Sequence, residues 1–122
     1  MKKYLNKIIK GDCLKVLKKI ADNSVDMTFA DPPFNLEKKY NCYADSKEKT
    51  EYLDWCNEWM DEMVRITKPT GAIFVHNIPR WLTYYAEHLN KIAFFKHWIV
   101  WDSGGSPMGK TKSLWYSILY KF

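Results

Sequence analysis

Val25-Asp26-Met27-Thr28-Phe29-Ala30-Asp31-Pro32-Pro33-Phe34 is the stretch on which the fold is read. The first six residues form a nearly continuous apolar run, typical of a parallel strand covered on both faces. Asp31-Pro32-Pro33-Phe34 then places a carboxylate, two rigid prolines and an aromatic ring at the strand's carboxyl end, where open α/β sheets bind ligands. Each residue suits work on an exocyclic amino group: the carboxylate and a proline carbonyl accept N–H hydrogen bonds, and the ring stacks on a base drawn out of its helix. The prolines hold φ near −65° and carry no N–H, so the carbonyls are presented in one geometry. The plainer reading of the four residues is a strand followed by a proline turn.

Context carries the rest, because a motif counts only in its structural setting. Gly11-Asp12-Cys13-Leu14 stands upstream, after the apolar pair Ile8-Ile9 and before a helical pattern. An acid at the end of one strand is thereby set beside the acid at the end of the next. Asp12 also reads as a helix N-cap, since an Asp before Cys13 to Ile20 accepts a backbone N–H. The two readings are compatible.

The GDxL and DPPF pair resembles the amino-methylating DNA methyltransferases, which modify adenine N6 or cytosine N4. The closest likeness is to small orphan adenine methyltransferases and the β-class modification enzymes of restriction systems. The resemblance implies an α/β fold, a Rossmann-like sheet with helices on both faces and an antiparallel edge pair. It implies S-adenosylmethionine as methyl donor and DNA as partner, with no covalent intermediate and no metal. Asp31, Pro32, Pro33 and Phe34 are then the catalytic residues, and Asp12 and Asp31 the cofactor-binding ones. An Asp at the head of the motif favours adenine; cytosine-N4 enzymes more often begin it with Ser. RNA and protein amide methyltransferases more often show NPPY.

The family's glycine-rich FxGxG cofactor loop does not occur in these 122 residues, and Gly104-Gly105-Ser106-Pro107 lacks the strand-then-helix setting such a loop needs. The expectation is an incomplete catalytic domain: a natural truncation, a fragment, or half of a split enzyme whose partner is a C-terminal methyltransferase half. A reading from another class stands beside it, a non-catalytic piece acting as a binding module.

Composition fits a cytoplasmic globular chain: 47% of residues are hydrophobic and 27% charged, enough apolar content for a core. Cys13, Cys42 and Cys56 are odd in number and lack CxxC spacing, so neither a disulfide framework nor a zinc site is indicated. No window approaches the roughly 20 apolar residues of a membrane span, and Ile8-Ile9 is too short for a signal peptide's apolar region. A formal charge of +5 fits a polyanionic partner. Lys38 and Lys39 after the DPPF loop, with Lys110 and Lys112 in a later loop, are the DNA-contact candidates; solvated lysines are the alternative for each.

Periodicity supplies the remaining elements. Ile8-Ile9 reads as a short strand and Cys13 to Ile20 as a helix. The polar stretch from Asn35 to Lys49 has neither period and reads as a long functional loop that orders on ligand binding. Tyr52, Trp55, Cys56, Trp59, Met63 and Ile66 recur at helical spacing, so Glu51 to Thr67 is a helix whose aromatic stripe is core; Thr50 caps it and Lys68-Pro69-Thr70-Gly71 ends it. Ala72 to Asn77 is a buried strand bringing His76 and Asn77 to the same carboxyl edge. Pro79 to Leu89 is a helix with Pro in its first turn. Phe94 to Trp101 and Leu114 to Phe122 make the antiparallel pair.

Overall fold

The computed structural model describes residues 2–37, 39–40, 43–102 and 114–121. A short 3-10 turn (Lys2–Tyr4) precedes α1 (Cys13–Leu17), β1 (Val25–Ala30), the short strands β2 (Lys39–Tyr40) and β3 (Tyr43–Ala44), α2 (Lys49–Ile66), β4 (Thr67–Asn77), α3 (Pro79–Leu89), β5 (Phe94–Asp102) and β6 (Leu114–Lys121). Four strands form one sheet in the order β1-β4-β6-β5. β1 and β4 are parallel, and β6 runs antiparallel to both β4 and β5. The carboxyl ends of β1, β4 and β5 therefore share one edge, so Asp31, Asn77 and Trp101 are brought together from distant parts of the chain.

Alternation along β4 divides the sheet, because successive side chains point to opposite faces. Ile73, Val75 and Asn77 are buried with Ile118 and Tyr120 of β6 under α2 and α3. α2 contributes Tyr52, Cys56, Trp59, Met60, Met63 and Ile66, and α3 contributes Trp81, Leu82, Tyr85 and Leu89. Each such side chain stabilises the fold by about 1.5–3 kcal/mol through burial. α1 packs on the same face through half-buried Leu14 and Leu17.

Helices were expected on both faces; among the described residues they cover one. On the other face Met27, Phe29 and Trp101 remain 59%, 52% and 51% exposed. β1 is accordingly covered on one side only, although its apolar run reads as a strand buried on both.

Several boundaries differ from expectation for local reasons. Residues 7–10 form no strand, and Ile8 is fully exposed; two isoleucines flanked by lysines have no sheet neighbour among the described residues. α1 stops at Leu17, after which the Lys19 and Ile20 N–H groups bond three residues back, to the Val16 and Leu17 carbonyls at 3.0 and 2.8 Å. α2 begins two residues before Glu51, because Glu48 rather than Thr50 is the N-cap, its carboxylate accepting from the Thr50 N–H at 2.7 Å; that bond holds the Glu48 carboxyl below the usual range. β4 begins directly after α2, with Lys68 to Gly71 forming an irregularity in its register against β1. Gly71 is needed there, since a Cβ would sit 2.8 Å from the Asp26 carbonyl and 2.9 Å from that of Lys68.

Arg65 ties the β1 approach to the end of α2. Its guanidinium donates to the carbonyls of Leu17 and Ile20 at 2.9 Å each, and pairs with Glu62 and Asp22. These partners hold its charge firmly on.

Candidate active site

Asp31 leaves the end of β1 exposed, and its side chain has no partner among the described residues. The Pro32 carbonyl likewise accepts no hydrogen bond there. The next two carbonyls are treated differently. The Tyr52 hydroxyl donates to Pro33 O at 2.6 Å, and the Trp81 indole Nε1 donates to Phe34 O at 2.7 Å. Beyond them Asp45, which is 2% exposed, accepts from the Asn35 and Leu36 N–H groups at 2.8 and 2.9 Å. The Asn35 side chain completes the clamp by bonding both the N–H and the carbonyl of Lys47. Glu37 is held at φ 59°, an uncommon conformation for a residue with a Cβ, while its N–H donates to the Asp45 carbonyl. The stretch read as a long loop that orders on ligand binding is pinned at its base and carries the β2–β3 pair above.

Tyr52 belongs to a buried polar chain. Its oxygen lies 2.9 Å from that of Tyr85, which in turn meets Cys56 Sγ at 3.3 Å and Asn77 Nδ2 at 2.9 Å. The donor directions can be deduced. A carbonyl has no proton to give, so Tyr52 donates to Pro33; Tyr85 must then donate to Tyr52, leaving its own oxygen to accept from Cys56 and Asn77. The Asn77 amide is oriented by the Ile78 N–H, which donates to Oδ1 at 2.8 Å. Burial pushes the Cys56 thiol up to about 11 and holds both tyrosines well above their ordinary value. The whole chain is neutral at physiological pH.

A cavity of about 490 Å³ opens beside the loop, lined by Asp31, Pro32, Pro33, Trp55, Trp59 and Met63, with Cys13 and Leu17 at its α1 side. Its size falls in the range of small-molecule sites. Apolar rings with one free carboxylate suit a heteroaromatic ligand bearing a positive charge. Phe34 lies outside this lining and faces the other way. Its ring centroid is 5.9 Å from His76, which is 5.9 Å from Trp101; His76 Nδ1 meets Ser117 Oγ at 3.1 Å.

Asp31, Pro32 and Pro33 stand together in the lining of this cavity. Asp12 serves as the α1 N-cap, accepting from Leu14 N–H at 3.0 Å, and is not in the cavity lining, although Cys13 beside it is. Lys38, Lys110 and Lys112 lie outside the described residues, and Lys39 is described only as backbone of β2. Sequence reasoning missed Tyr52, Tyr85 and Trp81 as supports of the DPPF loop. Helical periodicity marks them as core and carries no sign that their polar atoms meet a loop far away in sequence. Among the described residues, no group of three or more acidic, His or Cys side chains is placed to hold a metal ion, and no helix is long and apolar enough to cross a membrane.

Residues 25–120 match the family model described as DNA methylase, N6_N4_Mtase. The chain is 44% identical over 119 residues to the type II methyltransferase M.BamHI of Bacillus amyloliquefaciens, covering 95% of this chain and 28% of that protein. It is 35% identical over 100 residues to the DNA adenine methyltransferase YhdJ of Escherichia coli, covering 80% and 34%. Among solved structures, the cytosine-N4-specific PvuII DNA methyltransferase superposes with a TM-score of 0.68 at 17% identity, over 91% of this chain and 47% of that one. The M1.HpyAVI complex with SAM superposes at 0.60 with 16% identity, over 93% and 53%. The chain thus spans about a third or less of those curated relatives and about half of those solved chains.

Proposed function

We propose, for a chain that belongs to the N6/N4 DNA methylase family, that it carries the amino-group-holding part of a DNA methyltransferase acting on adenine N6. The carrying observation is the pair of unclaimed acceptors, the Asp31 carboxylate and the Pro32 carbonyl, presented at the edge of an apolar cavity while the neighbouring carbonyls are occupied. Two acceptors side by side match the two N–H bonds of an exocyclic amino group.

S-adenosylmethionine is the family's methyl donor, and the cavity's aromatic and apolar walls with one carboxylate fit its purine and sulfonium groups. When bound, it supplies an electrophilic methyl carbon. Asp31 and Pro32 O draw the amino hydrogens into their plane, which turns the nitrogen lone pair outward. The Asp31 charge opposes the positive charge that develops on nitrogen as the N–C bond forms, and it is placed to receive the proton then released. Phe34 offers its ring to the face of the extruded base. Positioning and charge supply the catalysis, with no covalent enzyme intermediate.

Adenine is preferred because Asp heads the motif, and YhdJ, the adenine enzyme by its name, is a relative. Cytosine N4 is the second reading, since an amino group on either base meets the same two acceptors. The test is transfer of labelled methyl from S-adenosylmethionine to unmethylated DNA, followed by nucleoside analysis, with the chain alone and mixed with a family C-terminal half. Label in N6-methyladenine supports the proposal, and label in N4-methylcytosine moves it to the second reading. No label from folded protein in either mixture overturns it in favour of a binding module.

A further inference from the structure

Side chains of α2, α3 and β4, none of them in the DPPF motif, converge on the carbonyls of that motif. Pro33 O is taken by Tyr52 and Phe34 O by Trp81. Tyr52 is held by Tyr85, and Tyr85 by Asn77 and Cys56. Tyr52, Tyr85, Asn77 and Trp81 are each at most 1% exposed. The buried hydroxyls form one directed chain that ends on the loop.

We infer that Tyr52, Tyr85 and Trp81 are positioning residues for methyl transfer, setting the DPPF loop so that Asp31 and Pro32 O are the acceptors left open to the target amino group. With the Pro33 and Phe34 carbonyls both held by buried donors, the Pro32 carbonyl is left without a partner among the described residues. The two prolines transmit the setting, since their locked φ leaves little freedom between the anchored carbonyls and Asp31. Hydrogen bonds in a chain polarise one another, so Tyr52 and Tyr85 act as a unit. Tyr85 makes no hydrogen bond to the motif itself and reaches it through Tyr52; its ring also meets the cavity wall edge-on at Trp59, 5.8 Å between centroids.

The functional arm rests on the proposed methyl transfer; a second arm does not. In the chain assembled with a family C-terminal half, Tyr52→Phe and Tyr85→Phe are each expected to lower kcat about tenfold with KM for S-adenosylmethionine unchanged, because a sub-ångström misplacement acts on geometry rather than on cofactor affinity. The double variant is expected to lose no more than Tyr52→Phe alone. A purely structural role would lower stability while leaving kcat per folded molecule intact. In the chain alone, the Trp81 indole N–H resonance is expected to exchange with deuterium about tenfold faster in Tyr52→Phe, while β4 amides keep their protection. Should Tyr52→Phe not fold, Tyr85→Phe carries both arms. Unchanged kcat with unchanged indole exchange overturns the inference. A wild type that transfers no methyl, yet shows the faster exchange in the variant, overturns the proposed activity and keeps the loop-setting role.

Discussion

Replacing Gly71 with Ala tests how closely β1 and β4 are pressed together where their register breaks. The added methyl would lie 2.6 Å from Thr67 Cγ2, 2.8 Å from the Asp26 carbonyl oxygen and 2.9 Å from that of Lys68. All three are closer than carbon tolerates, and two are backbone atoms that no rotamer change can withdraw. Overpacking of this kind costs about 1–3 kcal/mol, and the two immovable contacts put this site at the upper end. Ala also restricts the unfolded chain, which offsets about 0.4–1 kcal/mol. The net expectation is a loss of about 2 kcal/mol, or roughly 6–10 °C in Tm for a chain of this size. Urea and thermal unfolding followed by circular dichroism read it directly. Thr67→Ser in the same chain removes the Cγ2 contact and should recover less than half of the loss, since both carbonyls remain. A Gly71→Ala protein as stable as the parent, or full recovery with Thr67→Ser, would refute the close approach of the two strands.

Asp31→Ala should abolish methyl transfer in an assembled enzyme, and Asp31→Asn, which keeps an acceptor but not the charge, should lose about 10²–10³-fold in kcat; retained turnover in labelled-methyl assays would remove Asp31 from the reaction. The Cys56 contribution to stability should be constant from neutral pH to about pH 9 and fall between about pH 9 and 11, because the thiol, ordinarily titrating at 9.0, holds its proton up to about 11 when folded. The folded state then binds the proton more tightly than the unfolded one, so rising pH favours unfolding by up to about 1.4 kcal/mol per unit; urea midpoints across that range should lose the early part of the slope in Cys56→Ala. Arg65→Lys removes a planar fork that serves two carbonyls and two carboxylates, and should cost about 2 kcal/mol in chemical denaturation.

How far the fold was legible depended on whether the determining interactions were local. β1 and α3 occur at their expected bounds, because an apolar run ending in Asp-Pro-Pro and a Pro at a helix's first turn are local signals. The edge pair was readable from its β-branched and aromatic content. Failures arose where a partner lies far away. Ile8-Ile9 has strand propensity but nothing to pair with among the described residues, and propensity alone does not make a strand. The break at Lys68 to Gly71 looks like a helix end, and it is one; that it is also a strand start depends on β1 lying alongside. At the site, Asp31, Pro32 and Pro33 follow from the motif. The Asp45 clamp and the Tyr52 chain join residues 8 to 33 positions apart, and no spacing rule reports such pairs.

His76 and Asn77 show why the end of β4 is polar although the strand is otherwise buried. Neighbours in a strand point to opposite faces, so one residue reaches under the DPPF loop and the next lies beside its ring. Asn77 closes the hydroxyl chain that ends on Pro33 O. His76 stands between Phe34 and Trp101. An apolar residue at position 77 would leave the Tyr85 oxygen with Cys56 as its remaining donor, and a one-residue slip of β4 would put the imidazole into the core and the amide among the rings. The register of β4 against β1, Ala30 to Val75, therefore does two things at once. It sets the Phe34 ring beside His76 on one face, and the support of the DPPF loop on the opposite face of the same strand.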